Sequence, residues 1–155
     1  MEEKHYTPLF LINKMWDILQ EENIQAEEWL ENSAGAGAMI DFLKLKSDKN
    51  ILAYDILNET GREDIKECNY LKEKIEYKKG RVAFINPPFT KGLKFCYKAL
   101  EECDYCIALL SITSILSLDY DKYEAIGSIY YKNKVAFENA VVDICIMLLK
   151  KKDVL

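Results

Sequence analysis

The chain alternates between stretches with apolar residues at helical spacing and short runs that are continuously apolar. Residues 8–22 and 93–103 carry apolar side chains three or four positions apart, which predicts two amphipathic helices. A third helix is predicted over residues 38–46, a further one at 119–127, and a short helix or strand at 63–71. The predicted strands cover residues 27–32, 49–56, 81–86, 104–112, 129–137 and 141–149.

This alternation of strands and helices predicts an α/β fold. A mostly parallel sheet with helices on both faces is expected, because parallel strands need crossover connections that pack on the sheet. The last two strands are separated only by a turn around Glu138 and Asn139, so they should form an antiparallel hairpin. A length of 155 residues fits one domain over residues 1–155, large enough to bury a core.

Composition narrows the class of protein. Half of the residues are apolar and 30% are charged, as expected for a soluble globular domain. The net charge of −5 argues against a surface coated with cations for nucleic acid, but it leaves room for a local basic groove. No apolar run reaches the roughly 18 residues of a membrane helix, and the start of the chain has no apolar signal core. We therefore expect a cytoplasmic protein without a membrane partner.

Cysteines and cations at the strand ends suggest little chemistry of their own. The five cysteines are an odd number, which favours reduced thiols. Cys103 and Cys106 have the CxxC spacing of a zinc or redox site, but there is no second such pair, and the only histidine is His5. We expect these cysteines to be buried small hydrophobes and predict no metal site.

Lys78, Lys79 and Arg81 precede a strand, where we expect them to be solvated.

The end of the strand at 81–86 is the most informative stretch. Asn86 is followed by Pro87, Pro88 and Phe89. Proline donates no backbone hydrogen bond and fixes φ near −65°, so the two prolines end the strand and hold the next residues in one shape. Such rigidity suits a place where a few polar atoms must be held for a substrate. The alternative is a strand-ending turn without chemistry.

A glycine loop and an acidic residue suggest a ligand with a nucleoside. The loop Ser33-Ala34-Gly35-Ala36-Gly37 lies between a strand and a helix, where glycines allow a sharp turn and close approach to a ligand. Neither a complete GxGxxG pattern nor a Walker lysine follows, so a phosphate cradle is not indicated. Asp55 ends the next strand, where a carboxylate can accept both hydroxyls of a ribose or simply cap a turn.

In this order and spacing, the motifs resemble those of S-adenosylmethionine-dependent amino-methyltransferases of the adenine-N6 DNA methylase type. Asn86-Pro87-Pro88-Phe89 matches the (Asn/Asp/Ser)-Pro-Pro-(Tyr/Phe) tetrapeptide of that family at all four positions. LENSAGAGAM is similar to its first motif, in which a strand-end Glu precedes a Gly-x-Gly loop. Tyr6-Thr7-Pro8, Asn69-Tyr70-Leu71 and the ending FENAVVDICIMLLKK are similar to further segments of the family. The resemblance implies a Rossmann-like methyltransferase fold.

The resemblance also implies an activity: transfer of a methyl group from S-adenosyl-L-methionine to the exocyclic amine of adenine in DNA. The implied catalytic residues are Asn86, Pro87, Pro88 and Phe89, with Phe89 stacking on the base. The implied cofactor site comprises Tyr6, Thr7, Pro8, Glu31, Ser33, Ala34, Gly35, Gly37, Asp55, Asn69, Tyr70 and Asn86. Phe89, Lys91 and Lys94 are the implied substrate-binding residues, and Asn69 stands where the family usually has an aspartate.

Alternatives remain at this point. The predicted elements after the tetrapeptide leave no room for a target-recognition domain, so a partner protein could supply recognition. The same motif could act on adenine in RNA or on a glutamine amide in a protein. A non-catalytic methyltransferase-like subunit, or a plain nucleotide-binding domain, would also fit the pattern.

Overall fold

A seven-stranded sheet runs through the computed structural model of the chain, which describes residues 7–131 and 143–153. The helices are α1 (Leu9–Glu21), α2 (Ala38–Lys46), α3 (Gly92–Glu102) and the single turn α4 (Ser114–Ser117). The strands are β1 (Glu28–Glu31), β2 (Ile51–Asp55), β3 (Lys66–Glu67), β4 (Arg81–Ile85), β5 (Tyr105–Ser111), β6 (Tyr123–Tyr131) and β7 (Ile144–Lys151). Two 3₁₀ turns cover Tyr70–Lys72 and Phe89–Lys91.

The strand order is β3-β2-β1-β4-β5-β7-β6. β1 pairs in parallel with both β2 and β4, and β7 lies antiparallel between β5 and β6. The expected mostly parallel sheet with a final antiparallel hairpin is therefore confirmed. β2 and β3 lie on one side of β1, and the strands that follow in the chain, from β4 onward, lie on its other side. Such a reversal opens a crevice at the carboxyl ends of the two central strands, where open α/β sheets bind ligands.

Helices cover both faces of the sheet, as the sequence predicts. Successive side chains of a strand point to opposite faces, so β4 must be apolar on both. Val82 and Phe84 belong to the apolar cluster formed with α1 and α2, whereas Ala83 and Ile85 belong to the cluster formed with α3. This division explains why β4 reads as an unbroken apolar run.

One predicted element is wrong. A helix is expected at 119–127, but the structure has the short helix α4 before this segment and the strand β6 from Tyr123 onward. The apolar spacing there is too short to distinguish the two states, and pairing with β7 decides, with a register irregularity between Ala125 and Gly127. The predicted strand residues 132–137 and the turn at 138–139 lie outside the described residues.

Arg81 also differs from expectation. It is only 6% exposed, and its Nε donates to Glu28 Oε1 at 2.8 Å. The pair joins the first residues of β4 and β1, which are direct neighbours in the sheet. A buried guanidinium needs such a partner, so Arg81 belongs to the structure of the amino edge and not to a solvated surface.

The cysteines make no disulfide: all five are free, and four of them are buried. Within residues 7–131 and 143–153, no cluster of three or more His, Cys, Asp or Glu side chains could hold a metal ion. In the same ranges no helix is long and apolar enough to cross a membrane.

Candidate functional site

A cavity of about 520 Å³ opens at the carboxyl edge of the sheet, beside the ends of β1, β2 and β4. Much of its wall comes from the glycine loop after β1, the chain after β2 and the Asn-Pro-Pro segment after β4, and Thr7, residues 69–71 and Phe95 complete it. The predicted site residues that line it are Thr7, Glu31, Ser33, Ala34, Gly35, Asp55, Asn69, Tyr70, Asn86, Pro87, Pro88 and Lys91. Parallel strands bring these residues together because their carboxyl ends meet at one edge.

Four of the predicted residues that the structure describes are absent from this lining. Pro8 is the residue before α1, and its carbonyl accepts the Leu11 amide. Phe89 is half-buried and packs against the apolar cluster formed with α1 and α2. Gly37 is the last residue of the glycine loop and directly precedes α2, and Lys94 is exposed on α3. Tyr6 lies outside the described residues.

Backbone hydrogen bonds tie the glycine loop to the end of β2. The Gly35 amide donates to Asp55 Oδ2 at 2.7 Å, and the Ala34 amide donates to the Tyr54 carbonyl at 2.9 Å. The Leu57 amide donates to Asp55 Oδ1 at 3.0 Å. Each carboxylate oxygen has more than one acceptor site, so a carboxylate oriented in this way can still accept hydroxyl groups from a ligand.

Gly35 and Gly37 have φ values of +55° and +93°, in the left-handed region that favours glycine. The loop therefore requires both glycines to make its turn from β1 into α2.

The Asn86 side chain is held by the segment before α1. Its Nδ2 donates to Thr7 Oγ1 at 2.5 Å, and the backbone carbonyl of Asn86 accepts the Ser33 hydroxyl at 3.0 Å. Because the amide is planar, the bond to Thr7 also sets the direction in which Oδ1 faces. The rigid prolines that follow hold the neighbouring Pro87 carbonyl in the same segment. Asn86 and Pro87 both line the cavity at the end of β4.

Glu31 is the most unusual ionisable group of the site. It is 1% exposed, and the Ser33 amide donates to its Oε1 at 2.9 Å. Burial raises the pKa of Glu31 to about 8, with a further contribution from the nearby Asp55 charge, although the Ser33 bonds act in the opposite direction. Among the residues that the structure describes, no cation pairs with it. Burial without a charged partner therefore favours the neutral, protonated form of this carboxyl group in the ligand-free protein.

Tyr70 lines the cavity, but its ring is buried in the protein and does not present an open face to a ligand. It is 2% exposed, its hydroxyl donates to Glu102, and its ring stacks on Phe95 with centroids 5.6 Å apart. The Lys98 ammonium lies 3.9 Å from the ring centroid. These contacts fasten the 3₁₀ turn at Tyr70 onto α3, and so hold Asn69 and Leu71 at the cavity.

Sequence reasoning missed several lining residues. Ile56, Leu57, Glu59 and Thr60 follow Asp55 and form a wall, and Phe95 contributes from α3. The exposure of two large apolar side chains directly after Asp55 is a structural signal that the sequence alone does not carry. Asn32 is also part of the lining, and its buried amide has no hydrogen-bond partner in the described part of the chain. Its place between Glu31 and Ser33 could have drawn attention to it.

No family model matches the chain, and a search of curated proteins finds no match either. Solved structures do match. A Pyrococcus horikoshii protein provisionally described as an RNA methyltransferase superimposes with a TM-score of 0.76 at 15% identity, covering 97% of this chain and 88% of the other. The 23S rRNA methyltransferase ErmE gives 0.68 at 13% identity, with coverages of 96% and 70%.

A third match is the tRNA (uracil-54, C5)-methyltransferase of Pyrococcus abyssi, which was crystallised with S-adenosyl-L-homocysteine. Its TM-score is 0.62 at 13% identity, and the match covers 88% of this chain and 38% of the other. At such low identities the likeness concerns the fold. The chain has the Rossmann-like fold found in class I methyltransferases, as the sequence predicts.

Proposed function

We propose that this protein is an S-adenosylmethionine-dependent N-methyltransferase that modifies the exocyclic amine of adenine in nucleic acid, with DNA as the first candidate. One observation carries the proposal. The Asn86-Pro87-Pro88 segment lines the same cavity as the glycine loop and Asp55. A rigid pair of acceptor oxygens beside a site suited to a nucleoside is the arrangement that amino-methyl transfer needs.

The residues of the cavity fit the chemical groups of S-adenosyl-L-methionine. Asp55 would accept the ribose hydroxyls, as strand-end carboxylates do in nucleotide-binding folds. Glu31 would receive the ammonium group, which supplies the cation that this buried carboxylate lacks among the described residues. Asn69 and Leu71 would border the adenine, and Ile56 and Leu57 would provide apolar contact. When bound, the cofactor supplies a methyl group activated by its sulfonium.

The target amine is a poor nucleophile because its lone pair is delocalised into the adenine ring. Asn86 Oδ1 and the Pro87 carbonyl would each accept one N–H of that amine. Two such bonds favour a tetrahedral nitrogen whose lone pair would form the new bond to the methyl carbon as the carbon–sulfur bond breaks. S-adenosyl-L-homocysteine would be the leaving group, and the methylated amine would release one proton to solvent. Because the prolines hold both oxygens before the substrate arrives, little reorganisation is needed during the reaction.

The substrate would reach the cavity from the side of α3. Lys91 and Lys94 are exposed after the motif, and Lys91 lines the cavity. We infer that both contact phosphates next to the target nucleotide, whose base must leave any helical stack to reach Asn86. The half-buried Phe89 would have to turn from its apolar packing to stack on that base. A partner protein that supplies target recognition belongs to the same proposal.

Adenine in RNA is the second candidate. It is favoured because two of the structurally similar proteins described above are named as methyltransferases of 23S rRNA and tRNA. The exocyclic amine is the same in both nucleic acids, so the chemistry at Asn86 does not distinguish them. The choice depends on contacts with the sugar and with the strands around the target.

The test combines cofactor binding with methyl transfer. Calorimetric titration with S-adenosyl-L-methionine is followed by transfer of labelled methyl groups to adenine-containing single-stranded DNA, duplex DNA and RNA. The Asn86→Ala variant should bind the cofactor but lose transfer by at least about a hundredfold. Asn13→Ala, an exposed substitution on α1, is the matched control and should behave as the unmodified protein.

Three other results would contradict separate parts of the proposal. Absence of binding at millimolar cofactor would overturn the cofactor assignment and leave a plain nucleotide-binding domain. Binding without transfer to any nucleic acid would overturn the substrate class and favour a protein amide or a non-catalytic subunit. Transfer that survives in Asn86→Ala would refute the role of the amide.

A further inference from the structure

One arginine joins two walls of the cavity without lining it. Arg62 lies in the connection between β2 and β3, a few residues after the wall formed by residues 56–60. Its guanidinium reaches across to the glycine loop, where Nη1 donates to the Ala36 carbonyl at 3.3 Å. The Arg62 side chain is 21% exposed, and it does not belong to the cavity lining.

The guanidinium is held by two carboxylates from different elements. Nη1 and Nη2 donate to the two oxygens of Asp41 on α2, at 3.1 and 2.8 Å. Nε and Nη2 donate to the two oxygens of Asp64, at 2.9 and 2.8 Å. Both are forked pairs, the geometry in which arginine fixes direction as well as charge.

The backbone of Arg62 is tied equally well to the wall at 56–60. Asn58 Oδ1 accepts the Arg62 amide at 3.1 Å, and Asn58 Nδ2 donates to the Arg62 carbonyl at 2.6 Å. A second bond from Asn58 Nδ2 reaches the Ile65 carbonyl at 3.2 Å. Movement of Arg62 would therefore move Asn58, which lies in the chain between the lining residues Leu57 and Glu59.

Gly37 makes room for this contact. A Cβ at that position would lie 2.2 Å from Arg62 Nη1, so any other residue would displace the guanidinium. Gly37 thus has two reasons to be glycine: its φ of +93° and the packing of Arg62 against its backbone. Through this contact, Arg62 joins the chain after β2 to the glycine loop and the start of α2.

We propose that Arg62 is a positioning residue for the cofactor, because it holds the wall at residues 56–60 against the glycine loop at the spacing that a nucleoside requires. The inference rests on the proposed function for the identity of the ligand. Arg62 touches neither cofactor nor substrate. It acts through Ala36 and Gly37 on one wall and through Asn58 on the other.

The test compares Arg62→Gln, Arg62→Lys and a matched control, Lys44→Gln. Lys44 Nζ donates to Asp64 at 2.7 Å, so the control removes the other cation on that carboxylate without touching the loop. Three properties are measured: the dissociation constant of S-adenosyl-L-homocysteine, the midpoint of thermal unfolding, and hydrogen exchange of the amides at 35–38 and 56–60.

Arg62→Gln should weaken binding by about 10- to 100-fold, because both walls lose their spacing. Exchange should become faster in both segments together. Arg62→Lys should recover only part of the affinity, because an ammonium keeps the charge but not the forked pairs. Lys44→Gln should change the affinity by less than about twofold, as for an exposed ion pair.

Two results would overturn the inference: unchanged binding and exchange in Arg62→Gln, or an equal loss of affinity in Lys44→Gln. The second would mean that general destabilisation explains the effect. If the unmodified protein binds no S-adenosyl-L-homocysteine, the proposed function fails. Hydrogen exchange then still decides whether Arg62 joins the two walls.

Discussion

Replacing Glu31 with Gln tests the electrostatics of the site. Glu31 is 1% exposed, and no described cation pairs with it. Burial raises its pKa to about 8 from an ordinary value of 4.5. At neutral pH the folded, ligand-free protein should therefore keep this carboxyl group protonated, whereas the unfolded chain ionises it. Glutamine has nearly the same shape and can still accept the Ser33 amide, but it does not titrate.

The sign and size of the effect follow from proton binding. Between pH 4.5 and about 8, the folded state holds one more proton than the unfolded state at this position, so stability falls as pH rises. One pKa unit corresponds to about 1.4 kcal/mol, so the total effect is on the order of 5 kcal/mol by pH 8.5. Below pH 4.5 both states are protonated and the contribution is constant. The value is an upper bound, because water that enters the cavity would reduce the cost of ionisation.

The assay is chemical unfolding of both proteins at pH 5, 6.5, 7.5 and 8.5. The free energy of unfolding of Glu31→Gln, relative to the unmodified protein, should increase by several kcal/mol across this range. Glu63→Gln, an exposed substitution in the connection between β2 and β3, should give a curve parallel to that of the unmodified protein. If the Glu31→Gln curve is parallel as well, Glu31 is ionised throughout and the reasoning from burial is refuted.

The same group connects stability to binding. If the ammonium of S-adenosyl-L-methionine binds beside Glu31, the carboxyl group must release its proton at neutral pH. Calorimetry in buffers of different ionisation enthalpy should then detect release of about one proton per ligand near pH 7. Glu31→Gln should bind more weakly and release none. Equal proton release by the two proteins would place the ammonium elsewhere.

Three further predictions concern the surrounding residues. Asp55→Asn should weaken S-adenosyl-L-methionine by about tenfold or more in calorimetric titration, since the amide accepts fewer hydroxyl bonds; equal affinity would exclude a ribose contact. Glu28→Gln should lower the free energy of unfolding by about 3 kcal/mol at pH 7, because buried Arg81 loses its charge partner. Although burial raises the pKa of Glu28, bonds from Arg81, Asn50 and Lys78 outweigh this and lower it, so the deficit should shrink on acidification below about pH 4.5, and a constant deficit would contradict the pairing. Gly37→Ala should be less stable than Gly35→Ala in thermal unfolding, because both substitutions carry the strain of positive φ but only the first meets the Arg62 guanidinium; equal losses would refute that contact.

Much of the fold can be predicted from the sequence because its signals are local. The unbroken apolar run of β4 reflects two buried faces, and the prolines at 87 and 88 end the strand by their own covalent geometry. The helix predicted over residues 38–46 has the same ends as α2, and β6 and β7 pair antiparallel as expected. Where the local signal is weak, as at 119–127, the prediction of a helix fails and strand pairing decides.

The candidate site, like the fold, is predicted from the sequence only where the local signal is strong. Its motifs stand out in the sequence because glycine, proline and a strand-end carboxylate have conformational or chemical properties of their own. Asn86 and Asp55 can therefore be selected by residue type and position along the chain, and the fold brings both to one cavity. Their roles in binding and transfer remain predictions for the experiments above.

The sequence by itself determined most of the helices and strands, the class of sheet and the residues that resemble a methyltransferase motif. Only the tertiary structure decided that Arg62 rests on Gly37, that Arg81 is buried beside Glu28, and that Glu31 is only 1% exposed. These relations join residues that are far apart along the chain, or depend on the burial that packing creates. Neither periodicity nor residue type encodes them, because charge and exposure acquire their energetic meaning only once the strands and loops have come together.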